Sequence, residues 1–408
     1  MKLSTLPRLS FPFLFSFFAI SSQAQTKDSL SLNSLIKKNT FNYNNGEFKG
    51  PGWDILKKEI QKVQFLMIGE QHGEAEIPVF TGKVAEILKP KAFVVEIDPY
   101  SAKRLKKVTA NLAGDTEHFR KWPYDLSFFS WDAEMKLARK LIADKVDIWG
   151  LNEIAFMSNG LFFEELSAVS KIPANKKLAI QKSIEYGNHD RLLYTDIIKN
   201  WTNLSYYKMT PGSIDTLLYT FRNDNSQSKR MLLDLKASRP MLDGNHEVRL
   251  NLMKKNMMNY VSSYIGKDSI NIPNLLFKFG ANHVARTNDV NGYFEIGNLA
   301  DHLAAAAGKK TLHILIFGKN GTWNDMRSID NSISVKPYNV KEDPDLKVFK
   351  SFYDQVNDQE WAVFDLRPIG RAIENGKLKE IDSRVSDFVK SFDLMVLFGT
   401  VTGSKFIQ

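Results

Sequence analysis

The chain has 408 residues, a net charge of +9 and no cysteine. The missing thiols rule out disulfides, thiolate metal sites and cysteine nucleophiles. The positive excess is scattered rather than gathered into a Lys/Arg block, so a nucleic-acid-binding stripe is not expected.

Lys2 and Arg8, an apolar Phe-rich run over 10–20 and small residues around Ser22-Gln23-Ala24 read as a cleaved secretory signal. The run is too short to cross a bilayer. Residues 1–24 are therefore expected to be removed near Ala24, giving a secreted or periplasmic protein of about 380 residues, enough for one large domain or two. No later stretch is apolar and long enough for a membrane helix, so no transmembrane segment is expected after signal removal. Residues 25–55 are polar and form a lead-in segment.

Short, apolar, β-rich runs follow at Val63–Ile68, Ala92–Ile97 and Val146–Trp149, separated by helical patterns at Ile77–Leu88 and Trp131–Ala143. Alternating strand and helix signals predict a parallel sheet flanked by helices. From about Glu153 to Ile265 the strand signal stops, and charged amphipathic stretches punctuated by Pro173 and Pro211 predict an inserted all-helical subdomain. Strand signals resume at Leu275–Phe279, Leu312–Phe317, Ala362–Leu366 and Leu394–Phe398. The expected fold is α/β: a mostly parallel core built from 56–153 and 270–408, with a helical insert at 154–269 forming one wall of a cleft.

Reactive side chains gather where these strands end. The first delivers Gly69-Glu70-Gln71-His72-Gly73, the second Glu96, the third Asn152-Glu153, and the strand after the insert Gly280-Ala281-Asn282-His283. Ligands of open parallel sheets bind beyond the carboxyl ends of the strands. Neighbouring strands lie about 4.8 Å apart, so such side chains can share one substrate-sized volume. A lone strand-end His more often serves a loop hydrogen bond, and a lone buried Glu can simply accept from backbone amides. Four such residues on one edge, Glu70, His72, Glu96 and His283, point instead to a site. His118, His189 and His246 read as solvated, His302 as a helix-start residue and His313 as a strand residue facing a neighbour.

The Gly-Glu-x-His-Gly turn, the Val94-Val95-Glu96 strand and the Gly280-Ala281-Asn282-His283 segment resemble the erythromycin-esterase-like proteins, within a broad superfamily with the TIKI/TraB and haem-binding ChaN-like proteins. Ser130-Trp131-Asp132-Ala133-Glu134, Ile148 to Asn152, Asn245 to Arg249 with Met253 and Asn256, and Phe392 to Val396 follow in the family's order. The resemblance thus runs from Val63 to about Phe398. One residue, Gln71, separates Glu70 from His72 where the esterases usually have two; that spacing is closer to the ChaN-like and TIKI-like turn.

The resulting expectation is an exported hydrolase acting on a small ester or related carbonyl substrate. His72 would activate water, Glu70 or Glu96 would orient it, and His283 would donate to the oxyanion or the leaving group. Asn282, Arg249, Arg286 and Glu76 are candidates for binding substrate, although Arg286 reads better as a surface residue. Two histidines and one or two carboxylates also suit a catalytic divalent ion, as in a TIKI-like peptidase. Metal-free hydrolysis leads, because no compact His-Glu-x-x-His spacing is present. A ChaN-like protein that binds haem or another small ligand is the competing class. No Gly-x-Ser-x-Gly elbow occurs, and Gly308-Lys309-Lys310-Thr311 lacks the upstream glycine of a phosphate loop.

Overall fold

The computed structural model describes residues 30–110, 115–288, 292–378 and 381–407. The expected signal segment and its cleavage near Ala24 lie outside these residues. Among the described residues, one sheet carries β1 (Lys38–Asn44), β2 (Glu47–Lys49), β3 (Phe65–Glu70), β4 (Ala92–Val95), β5 (Asp147–Gly150), β6 (Leu275–Gly280), β7 (Thr311–Asn324), β8 (Val335–Asn339), β9 (Trp361–Asp365) and β10 (Leu394–Val401).

Their spatial order is β2-β1-β9-β10-β7-β3-β6-β4-β5, with β8 paired to β7. The run from β10 to β5 is parallel throughout. Strand β3 sits in its middle, and Phe65, Leu66, Met67 and Ile68 are all fully buried. Helices cover both faces of such a strand, which is why it reads as a continuous apolar run rather than an alternating one. Burying each of these side chains contributes about 1.5–3 kcal/mol.

The lead-in departs from expectation. It forms the hairpin β1–β2, which turns at Asn45-Gly46 with both residues at positive φ (52° and 79°). Strand β1 then pairs antiparallel with β9 and closes that edge. Phe41, Phe48, Trp53 and Trp361 form the aromatic cluster that holds it, with the Phe48 and Trp361 rings 5.0 Å apart. Strand β8 is also unforeseen. It pairs antiparallel with the far half of β7, whose length exceeds the expected Leu312–Phe317 because of that pairing.

Between β5 and β6 the described elements are all helical, the longest being Pro173–Arg191 and His246–Val261. They enclose their own apolar cluster, including Phe163, Leu166, Tyr206, Phe221 and Leu232, separate from the core beneath the sheet. No described helix is long and apolar enough to cross a membrane.

Candidate functional site

Strands β3, β6 and β4 are adjacent, with Glu70 level with Gly280 and Val95 level with Lys278. Glu70 ends β3, Glu96 follows β4, and a single helical turn over Ala281–Val284 presents Asn282 and His283 beyond β6. The four residues singled out by strand-end position therefore meet. Past His72 the chain reverses at Gly73, whose φ is 90°; a Cβ there would lie 2.2 Å from the Asn324 carbonyl oxygen, so glycine is required.

His72 has a carboxylate near each ring nitrogen. Nδ1 is 2.8 Å from Glu70 Oε1, and Nε2 is 3.5 Å from Glu96 Oε2. The Phe128 ring stacks on the imidazole at 4.0 Å. Ser127, immediately before Phe128, is held at φ 48°, a strained conformation for a non-glycine residue. Burial disfavours charge on His72, but the hydrogen bonds and charges of Glu70 and Glu96 outweigh it and raise the ring to about 9. Gly280 makes room for the arrangement, since a Cβ there would come within 3.0 Å of His72 Nε2.

Glu96 is the hub of the second half. Its Oε2 accepts from the Gly280 N–H at 2.9 Å, and its Oε1 accepts from Arg249 Nη2 at 2.8 Å. Burial would raise this carboxyl, yet His283 and His72 hold it well below the usual carboxylate range. Arg249 Nη1 lies 2.9 Å from His283 Nε2, while its Nε donates to Glu153 at 2.9 Å and Asn152 at 3.1 Å. His283 Nδ1 meets the fully buried Glu295 at 2.8 Å, and the other Glu295 oxygen meets His246 Nε2 at 2.9 Å.

Burial works against a proton on His283, whereas Glu96 and Glu295 work for it and raise the ring to about 9. Nε2 faces two partners with opposite needs. A guanidinium only donates, so the Arg249 contact needs a lone pair there, whereas the Glu96 Oε1 carboxylate, 3.3 Å from the same nitrogen, needs a proton on it; Nδ1–H stays on Glu295 in either form.

These groups border a cleft of about 390 Å³ lined by Glu70, Gln71, His72, Glu96, Gly280 to His283, Trp323, Asp345, Leu346, Arg384 and Phe388. The helical insert does not form its wall, contrary to expectation. The far half of β7 supplies Trp323, and the segments around Leu346 and Phe388 supply the rest. The insert instead reaches the site from its side through Arg249.

The substrate-binding candidates divide. Asn282 is exposed in the cleft lining. Each Arg249 nitrogen has a partner within the protein and Arg249 is absent from the cleft lining, so it braces the site instead of facing into it. Arg286 is drawn away to Asp393, at 2.6 Å, and Asp301 where β10 begins. Glu76 begins the helix after the turn and accepts from the Thr402 N–H at 3.0 Å, outside the lining.

Two histidines read as solvated are not: His246 is tied to Glu295, and His118 to the buried Asp125 at 2.7 Å. In both cases the carboxylate lies far away in sequence or outside any strand-end pattern. His189 is exposed as expected. His313 is a buried strand residue bonded to the Val284 carbonyl, whereas His302 lies within the Ile296–Ala306 helix rather than at its start.

Lys278 and Glu134 were missed. Lys278, buried in β6, donates to Glu70 and to Glu134 at 2.6 Å each. Its signal was a lone cation inside Leu275-Leu276-Phe277-Lys278-Phe279, a position that demands a buried counter-charge. Glu295 had no comparable signal. The donor set fits a metal ion poorly: Arg249 occupies the lone pairs that Glu96 and His283 turn toward each other, and among the described residues no three His, Asp or Glu side chains converge as ligands.

No protein-family model matches the chain, and no curated protein does. Solved structures do. A mutant of the erythromycin esterase EreC, in its open conformation, superposes with a TM-score of 0.55 at 14% identity, over 91% of this chain and 100% of that one. A Bacillus cereus protein gives 0.53 at 16%, over 91% and 97%. A succinoglycan biosynthesis protein gives 0.53 at 12%, over 93% and 97%. At these identities the likeness is one of fold: this is an α/β chain with the architecture that these three structures share.

Proposed function

We propose that the chain is an erythromycin-esterase-like hydrolase that activates water through His72 and cleaves a small ester or related carbonyl substrate. The observation that carries this reading is His72 itself. It is a partly exposed imidazole at the base of a cleft, with Nδ1 anchored on the buried Glu70 and Nε2 turned toward Glu96.

A base oriented by one carboxylate, with its other nitrogen facing the cleft and a second carboxylate at 3.5 Å, is an arrangement suited to general-base hydrolysis. Neutral His72 takes a proton from water through Nε2 while its Nδ1–H stays on Glu70; the water oxygen bonds to the carbonyl carbon, and the same proton passes to the departing oxygen as the ester bond breaks. Glu96 remains ionised and steadies the imidazolium that forms. Asn282, exposed in the lining, donates to the developing oxyanion. Arg249 and His283 act through Glu96 by fixing its carboxylate. The fold shared with an erythromycin esterase supports the reaction class without naming the substrate.

On the same reading the protein is exported, residues 1–24 are its signal, and 154–269 is an insert into a core built from 56–153 and 270–408. The test is hydrolysis of a panel of esters and lactones, with and without chelator, by the wild type and His72→Ala. Loss of turnover in the variant, indifferent to chelator, supports the proposal. Undiminished turnover refutes it.

A further inference from the structure

Behind His72 a row of four ionisable side chains runs away from the cleft. Glu134 Oε1 and Glu70 Oε1 each accept from Lys278 Nζ at 2.6 Å, and the same Glu70 oxygen is 2.8 Å from His72 Nδ1. Glu134, Lys278 and Glu70 are at most 5% exposed. Two carboxylates and one ammonium leave this buried row with one uncompensated negative charge. Carrying that charge out of water is costly, so the row favours taking up one proton.

Two places can take it. One is His72 Nε2, making an imidazolium. The other is Glu134, whose second oxygen is buried without a hydrogen-bond partner and is therefore poorly suited to carry charge. The groups facing His72 are Glu70 at the end of β3, Glu96 beyond β4 and the Phe128 ring. Glu134 is faced by Lys278 and, through it, by Glu70.

We propose that Glu134 is a positioning residue for charge: by gaining or losing its own proton it sets whether His72 holds one. With Glu134 ionised, the row is neutral only when His72 is protonated. With Glu134 protonated, the row is neutral with His72 free, and the Nε2 proton leaves to water in the cleft while Nδ1–H stays on Glu70. The two groups titrate as a pair. The consequence for catalysis rests on the reading of His72 as the base, but the coupling itself does not.

The test reads His72 directly, without substrate, by histidine ¹³C NMR titration of the full chain, with His72→Asn assigning the signal. Glu134→Gln, which keeps shape and removes the charge, should lower the His72 midpoint by at least one pH unit, a tenfold loss of proton affinity. A midpoint within 0.2 units of wild type, roughly the scatter of such titrations against a one-unit effect, overturns the proposal. If Glu134→Gln does not fold, the infrared carbonyl band of a buried protonated carboxyl supplies the second measurement. That band should appear at higher pH in His72→Asn than in wild type, and an unchanged onset overturns the proposal equally. Failure of hydrolysis with the NMR shift intact would count against the enzyme reading alone.

Discussion

Arg249 Nη1 lies 2.9 Å from His283 Nε2, so a guanidinium and a proton compete for one lone pair. Removing Arg249 removes both the competing donor and a nearby positive charge that lowers the ring's proton affinity. In Arg249→Met, His283 should take up its proton at higher pH than in the wild type. Histidine NMR checks this, and a midpoint that stays or falls contradicts that competition. Hydrolysis should fall at least tenfold as well, because Glu96 loses the donor on its Oε1.

The pH dependence of activity and of stability should run in opposite directions around His72. With His72 as the proposed base, hydrolysis would need the neutral ring, so the rate should rise with pH to a midpoint near 9, where His72 loses its proton. The sign for stability follows from a folded-state value raised above the usual value of about 6.5. The contribution of protonated His72 is fully present below about pH 6.5 and is lost as pH rises through about 9. Thermal unfolding of wild type against His72→Asn across pH 6–10 (roughly the span of that titration) checks it: the wild-type advantage should shrink at the alkaline end.

Gly280 carries a prediction that separates activity from folding. An added methyl would sit 3.0 Å from His72 Nε2 and 3.6 Å from Glu96 Oε2, between two groups that must face each other. Gly280→Ala should cost about 1–3 kcal/mol of stability at most and more than tenfold in turnover. Denaturant melts and ester hydrolysis on the same preparation measure both.

Lys278→Met should act mainly on stability. It leaves Glu70 and Glu134 buried without their shared cation, and breaking a buried pair by removing one partner costs about 3–5 kcal/mol. Urea unfolding checks the size. A loss below about 1 kcal/mol, the scale of an exposed pair, would mean that the row is solvated.

Much of this site could be read from the sequence because parallel strands place their end residues at nearly one level. Glu70, His72, Glu96 and His283 each follow an apolar run, and the β3-β6-β4 order brings the runs together. The residues that tune them were harder to see. Glu134 lies on a helix and Glu295 just before one, and only the packing of those helices shows which imidazole or ammonium each carboxylate meets. The hairpin β1–β2 did carry a signal, since Asn45-Gly46 is the preferred two-residue turn with both φ positive; its polar strands hid it. The cleft wall was misplaced because Trp323 rides on an extension of β7 that exists only through its pairing with β8.

His72, set by Glu70 and Glu96, is on our proposal the base of a hydrolytic site. The direct measurement is turnover of the best ester or lactone found for the wild type, compared with His72→Ala and with His72→Ala/His283→Ala. At least a hundredfold loss is expected in the single variant, the scale of removing a general base, and no recovery in the double variant. Full hydrolysis by the double variant would contradict it.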